Sequence, residues 1–266
     1  MVLGIAYHSN PVFSTIRRMF LKKLYFLPIA ILIGCSEVDI AATKSKPQEG
    51  KLVTWGDLPN KDDRPTIAHV NIVDLNQDGV NDVLVCDVLG QKVSWINNGN
   101  EKTVLSNVSG AVHVEPIDMD RDHDLDLLIS VMGTILPSDA QTGEVIILEN
   151  DGDEKFTKHT VAKDIQRVTD VQGGDLDGDG DMDLSVAQFG YTQGQVQWFE
   201  NLGGWNFAQH QLINKSGAIH APISDIDNDG DLDIVTLLSQ EWETVYGFVN
   251  DGKGNFEQII LHDVAD

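Results

Sequence analysis

Four times the chain writes an acidic nine-residue stretch and follows it at once with a run of β-formers. The copies are Asp74–Asp82, Asp118–Asp126, Asp175–Asp183 and Asp225–Asp233. The first carries three aspartates and each of the others five, out of 42 acidic residues in the chain. Carboxylates packed this densely repel one another unless a counter-charge is shared among them. Oxygen side chains recur at loop positions 1, 3, 5 and 9. They are Asp74, Asn76, Asp78 and Asp82; Asp118, Asp120, Asp122 and Asp126; Asp175, Asp177, Asp179 and Asp183; Asp225, Asp227, Asp229 and Asp233. That donor set suits a hard divalent cation with many oxygen ligands, namely Ca²⁺. Position 6 is Gly79, Gly180 and Gly230 in three copies, which supplies a sharp turn with positive φ, and His123 in the other. The second site is therefore expected to be strained or weaker.

An EF-hand would need a bidentate Glu at position 12 and flanking helices. Position 12 is Val85, Ile129, Val186 and Thr236, and the residues after each loop read as strands. Position 9 is therefore expected to close the site bidentately as a strand begins. An isolated acidic loop reads equally well as a solvated turn. Four copies in one register favour the metal.

The 266 residues suffice for one large domain or two small ones. Short apolar runs punctuated by Gly and Pro, with no long amphipathic period, indicate an all-β chain. A net charge of −24 without a basic stripe excludes nucleic acid as a partner. Near the N-terminus, Arg17, Arg18, Lys22 and Lys23 precede an apolar run from Leu24 to Gly34, too short to span a bilayer. Leu32-Ile33-Gly34-Cys35 resembles the lipobox of bacterial lipoproteins. By that resemblance, residues 1–35 are a lipoprotein signal peptide whose start is Met1 or Met19. Cys35 is then the lipidated residue, and the protein is extracytoplasmic, held at the membrane by lipid alone. Residues 36–50 read as a flexible polar tether. Cys86, the other cysteine, reads as a small core residue.

Residues 51–266 carry the repeats. The loops start 44, 57 and 50 residues apart. In each unit one strand enters the loop and a second leaves it. A variable segment leads to a third strand, then an Asn/Gly turn such as Asn97-Asn98-Gly99, then a fourth strand. Four antiparallel strands in about 50 residues form a propeller blade. The acidic loops together with turns such as Trp198-Phe-Glu-Asn-Leu-Gly203 resemble the FG-GAP/VCBS repeat family, the integrin-α-type β-propellers. The resemblance implies Ca²⁺ held by side chains at positions 1, 3, 5 and 9. It adds the backbone carbonyl of position 7: Val80, Asp124, Asp181 and Asp231. Such propellers usually have about seven blades, and four are visible here. Lys51–Trp55 reads as a lone outer strand. A truncated propeller is the favoured reading over a four-bladed ring or an open array.

Five residues before each loop stand His69, His113, Asp170 and His220. On the innermost strands they would ring the axis, as a possible site for a transition metal or an anionic ligand. Backbone-bonded histidines at strand starts are the simpler alternative. The variable segments carry Tyr191, Gln193, Gln240, Glu241 and Trp242, a mixture suited to sugars or peptides. No nucleophile or phosphate-loop signature occurs, so no catalytic residue is assigned. The expected function is a Ca²⁺-binding module for a carbohydrate or protein ligand. The alternatives are a propeller enzyme, such as a polysaccharide lyase or dehydratase, and a structural piece of a larger protein.

Overall fold

A computed structural model describes residues 65–240 and 242–263. The expected signal peptide, Cys35, the tether, the strand at 51–55 and Glu241 lie outside the described residues. Every regular element described is a strand. The first sheet is β1 (Ile67–Val73), β2 (Asp82–Asp87), β3 (Lys92–Asn97) and β4 (Asn100–Ser106). The second is β5 (Ala111–Ile117), β6 (Asp126–Val131), β7 (Gly143–Asn150) and β8 (Phe156–Ile165). The third is β9 (Arg167–Gly174), β10 (Asp183–Phe189), β11 (Gln195–Asn201) and β12 (Phe207–Ile213). The fourth has a broken first strand, β13 (Ala218–His220) and β14 (Ile223–Ser224), then β15 (Asp233–Leu238), β16 (Thr244–Asn250) and β17 (Phe256–Asp263). Neighbours pair antiparallel in chain order, so each sheet is an up-and-down blade. The break in the fourth follows from chemistry. Pro222 has no N–H to give, and the Ala221 N–H bonds the Asp170 carboxylate 3.0 Å away.

Blades pack face to face through alternating side chains. In β6, Leu127 and Ile129 join Leu84, Cys86 and Trp95 of the first blade, whereas Leu128 joins Val171, Leu184 and Val186 of the third. In the third blade Ala187, Val196 and Trp198 turn the other way, onto Ile234, Tyr246 and Phe248 of the fourth. Strand β6 is consequently buried along its whole length, and β10 up to its last residue. Strand β2 alternates, because only one face of the first blade is covered. Its other face leaves Val70 and Ile72 at 51% and 67% exposure, and Leu237 on the fourth blade is 39% exposed. The four sheets form a propeller-like arc, and among the described residues the first and last blades share no such core.

Beside a register shift between the third and fourth strands, two backbone irregularities on the inner side recur in every blade. The first lies in the acidic loops, where position 6 has positive φ as expected: Gly79 at 86°, His123 at 81°, Gly180 at 102° and Gly230 at 103°. Position 4 does the same, through Gln77, Arg121, Gly178 and Asn228. The second is a β-bulge in each innermost strand. Pairing skips one residue between Ile67 and His69, between Ala111 and His113, between Val168 and Asp170, and between Ala218 and His220. A bulge re-aims the side chain that follows it.

The His123 side chain is 95% exposed, yet its backbone sits where an L-residue is penalised. The variant His123→Gly is expected to stabilise the domain by about 1 kcal/mol. Urea unfolding measures this, and an unchanged or lower midpoint would contradict it.

Candidate metal centres and an axial cluster

Each acidic loop joins the first two strands of a blade and is built from backbone N–H groups pointing at carboxylates. The position 5 oxygen accepts the N–H of position 7 in all four: Asp78 from Val80, Asp122 from Asp124, Asp179 from Asp181 and Asp229 from Asp231, at 2.8–3.0 Å. Position 1 accepts the N–H of position 6, for example Gly79 to Asp74 at 2.8 Å and Gly180 to Asp175 at 3.1 Å. Position 3 accepts from position 5 in the last three loops, as Asp122 to Asp120 at 3.2 Å. These nested turns draw the chain around a point and aim the carboxylates inward.

Among the described residues, three sets of acidic side chains bring a ligating oxygen apiece within 4.8 Å of one another: Asp118, Asp120 and Asp122; Asp175, Asp177 and Asp183; Asp225, Asp227 and Asp229. Each could hold a metal ion. The second loop, where His123 replaces glycine, keeps its triad. The first does not form one. There Asn76 turns its amide nitrogen to Asp78 at 3.4 Å, and Asp82 has one buried oxygen without a partner.

Position 9 is the buried member of every loop: Asp82, Asp126, Asp183 and Asp233 are at most 1% exposed. One oxygen accepts the N–H of position 2, from Leu75, Met119, Leu176 or Ile226 at 2.8–3.2 Å. In the last three blades the other accepts from the asparagine ending the third strand, Asn150, Asn201 or Asn250, at 2.7–2.8 Å. Bidentate closure is the role the sequence assigns to position 9. In the last three blades both oxygens clasp the hairpin, and among the described residues Asp183 also joins a ligating triad. Burial pushes Asp126 and Asp183 up to about 6; the backbone bonds oppose the shift and neighbouring aspartates add to it.

Loops of successive blades also touch. Gln77 Nε2 donates to the His123 carbonyl at 2.6 Å, Arg121 lies 3.9 Å from Asp175, and Asn250 Nδ2 donates to the Leu176 carbonyl at 2.6 Å.

At the opposite end of the inner strands, the structure brings His69, His113, Asp170 and His220 together. Asp170 is 2% exposed. His113 Nδ1 lies 3.4 Å from its Oδ1, and His220 Nδ1 lies 3.4 Å from its Oδ2. Gln172 Nε2 and the Ala221 N–H hold the carboxylate from the other side, at 3.2 and 3.0 Å. The His69 and His113 rings meet edge-on with centroids 4.3 Å apart. Burial, reinforced by His113, lowers His69 to about 4, and burial lowers His113 as well. Backbone bonding of these rings, the simpler expectation, is not what surrounds them: they face one another and a carboxylate. Sequence reasoning missed Glu115, two residues after His113 and so on the same side of β5. Its carboxylate accepts the Gly173 N–H at 3.2 Å. Burial pushes Glu115 up to about 7, against that bond and with the help of the Asp170 charge.

Among the variable segments, Tyr191 and Gln193 are exposed on a loop whose backbone is pinned by Asp139, which accepts the Thr192 and Gln193 N–H groups at 2.8 and 3.2 Å. Trp242 lies under the Lys215 ammonium, 3.8 Å from the ring centroid, and Gln240 holds φ at 64°.

Two outcomes follow from buried carboxylates. Removing Asp183 leaves the Leu176 and Asn201 N–H groups unpaired, so Asp183→Ala is expected to cost about 2–4 kcal/mol in urea unfolding even with chelator present. A loss below 1 kcal/mol would show that the clasp does not matter. Glu115 has its folded pKa above its ordinary value of 4.5. Its contribution to stability is therefore full below pH 4.5 and lost as pH rises through about 7. Glu115→Gln keeps the acceptor for Gly173 and is expected to raise the urea midpoint at pH 8 but not at pH 4. Equal shifts at both pH values would contradict this.

The model of the FG-GAP-like repeat matches residues 74–129 and 175–236, two stretches that each begin at an acidic loop and run through the next blade's loop into its second strand. No curated protein matches the chain. Four-stranded blades, an acidic loop between the first two strands of each, and these matches agree: the chain carries FG-GAP-like repeats over residues 74–129 and 175–236.

Proposed function

We propose that the chain is an extracytoplasmic, Ca²⁺-stabilised β-propeller module that binds a carbohydrate or protein ligand on the face opposite the acidic loops, and that Cys35 anchors it to the membrane by lipid. The carrying observation is the repeated loop geometry. Three loops converge carboxylates to within 4.8 Å of one another on rigid hairpins. Convergence of like charge is unfavourable alone and favourable around a divalent ion. Side chains of positions 1, 3 and 5 would hold Ca²⁺, with the position 7 carbonyl added by family resemblance. Position 9 would orient the loop and, in the third blade, ligate. The anchored location rests on the lipobox-like run before Cys35. No helix among the described residues is long and apolar enough to cross a membrane.

The binding face is supported by what it exposes. A groove of about 440 Å³ is lined by Val88, Leu89, Gln91, Ile135 and Leu136 from the segments that follow β2 and β6. Leu89 and Leu136 are 67% and 69% exposed, and Tyr191 on the next blade 59%. Exposed apolar and aromatic side chains gathered on loops of a rigid scaffold are typical of recognition surfaces.

Each ion held at 100 times its dissociation constant adds about 2.7 kcal/mol. Three filled loops would then raise the melting temperature on the order of 15 °C for a domain of this size. Thermal melting in Ca²⁺ and in EDTA is expected to show this gap, and an Asp179→Ala, Asp229→Ala double variant to lose most of it. Coincident melts of the wild type would refute the Ca²⁺ reading. For the binding face, a glycan and peptide array read with wild type and with Leu136→Asp, Tyr191→Ala is expected to give signals that the variant abolishes. Signals unchanged by the variant would place the ligand elsewhere.

A further inference from the structure

We propose that His69, His113 and His220, ordered around Asp170, form a second metal site that binds one divalent transition cation of the Zn²⁺ class. This site differs from the acidic loops in donor chemistry, in location and in how the backbone makes it.

The backbone evidence is the bulge. One extra residue stands before each of the four positions: Ala68 before His69, Val112 before His113, Thr169 before Asp170 and Ile219 before His220. A bulge disrupts a ladder and turns the next side chain. Four bulges in the same register, each followed by an imidazole or a carboxylate, bring four separate blades' polar groups to one place. Register shifts also recur between the third and fourth strands of every blade, so it is the convergence of these four polar groups, and not the bulge alone, that marks the place.

The side chains then have the order of a histidine metal site. A ligating imidazole commonly points one ring nitrogen at a carboxylate, which fixes the ring and leaves the other nitrogen for the ion. His113 Nδ1 and His220 Nδ1 each lie 3.4 Å from a different oxygen of Asp170, at ion-pair distance and not hydrogen-bonded, and Asp170 is itself held by Gln172 and Ala221. His69 Nε2 is buried without a hydrogen-bond partner, next to the His113 ring. Among the described residues only the loop carboxylates already stand at ligating spacing. Closing the axial shell falls to His220, whose side chain is 62% exposed, against 14% for His113. Imidazole donors favour Zn²⁺, Cu²⁺ or Ni²⁺ over Ca²⁺, which takes oxygen. The buried Asp170 opposes an anion at the same place.

The test uses the full protein saturated with Ca²⁺, so that the loops are filled, titrated with Zn²⁺ by calorimetry and with Co²⁺ by visible absorption. Wild type is expected to take up one tight equivalent of Zn²⁺ and to give Co²⁺ ligand-field bands. His220→Gln, at an exposed ring that the core does not need, is expected to weaken binding at least 10-fold, and His113→Gln with His220→Gln to abolish it. Asp170→Asn, a change to a positioning residue, is expected to weaken it 10–100-fold. Circular dichroism and Ca²⁺ content are expected to stay at wild-type values throughout, which separates failure here from failure of the Ca²⁺ reading. No tight Zn²⁺ uptake by the wild type, or uptake unchanged in His220→Gln and Asp170→Asn, overturns the proposal.

Discussion

The structure depends on holding like charges close together at each hairpin. Backbone N–H groups do the first part of this work. They aim at the carboxylates of positions 1, 3 and 5 and wind the loop into nested turns. The buried position 9 carboxylate does the second, tying the start of the loop to the end of the third strand. A divalent ion at the centre would turn the remaining repulsion into attraction. Because the loops touch from blade to blade, an ion in one would also affect how neighbouring sheets sit.

Packing explains why the array continues as it does. A blade in the middle is covered on both faces, and its second strand is buried almost throughout. A blade at the end is covered on one face only and keeps β-branched residues such as Val70 and Ile72 in solvent. The hydrophobic term therefore acts between sheets, while the loops and the axial groups decide where each sheet's inner strand points. The two ends of that strand have different chemistry: oxygen donors at the hairpin, and imidazoles around a carboxylate at the other end.

Much of this was legible in the chain. The nine-residue acidic period and the β-runs after it gave the blades, because a 2-residue alternation and a turn signal are both local properties. The positive φ at position 6 was legible from Gly79, Gly180 and Gly230, and His123 conformed despite its side chain. Position 4 was not, since Gln77 and Arg121 carry no turn signature. The clasp made by position 9 was also hidden, because the partner of Asp126 is Asn150, which lies 24 residues away. The weaker loop was expected to be the second, on the strength of His123. The second loop keeps a carboxylate triad, and the first, where Asn76 stands in place of an aspartate, does not. At the axis, His69, His113, Asp170 and His220 were found from spacing alone. Glu115 was missed because a lone glutamate in a strand ordinarily faces solvent, and only the bulge beside it shows which way the strand turns.

The most direct test of the account is the Ca²⁺ content of the folded protein, counted by native mass spectrometry after exchange into Ca²⁺-containing buffer. The account predicts at least three bound ions, one for each loop that converges a carboxylate triad, with stepwise loss when those loops lose their position 5 aspartate. A fully folded protein that carries no calcium would contradict it.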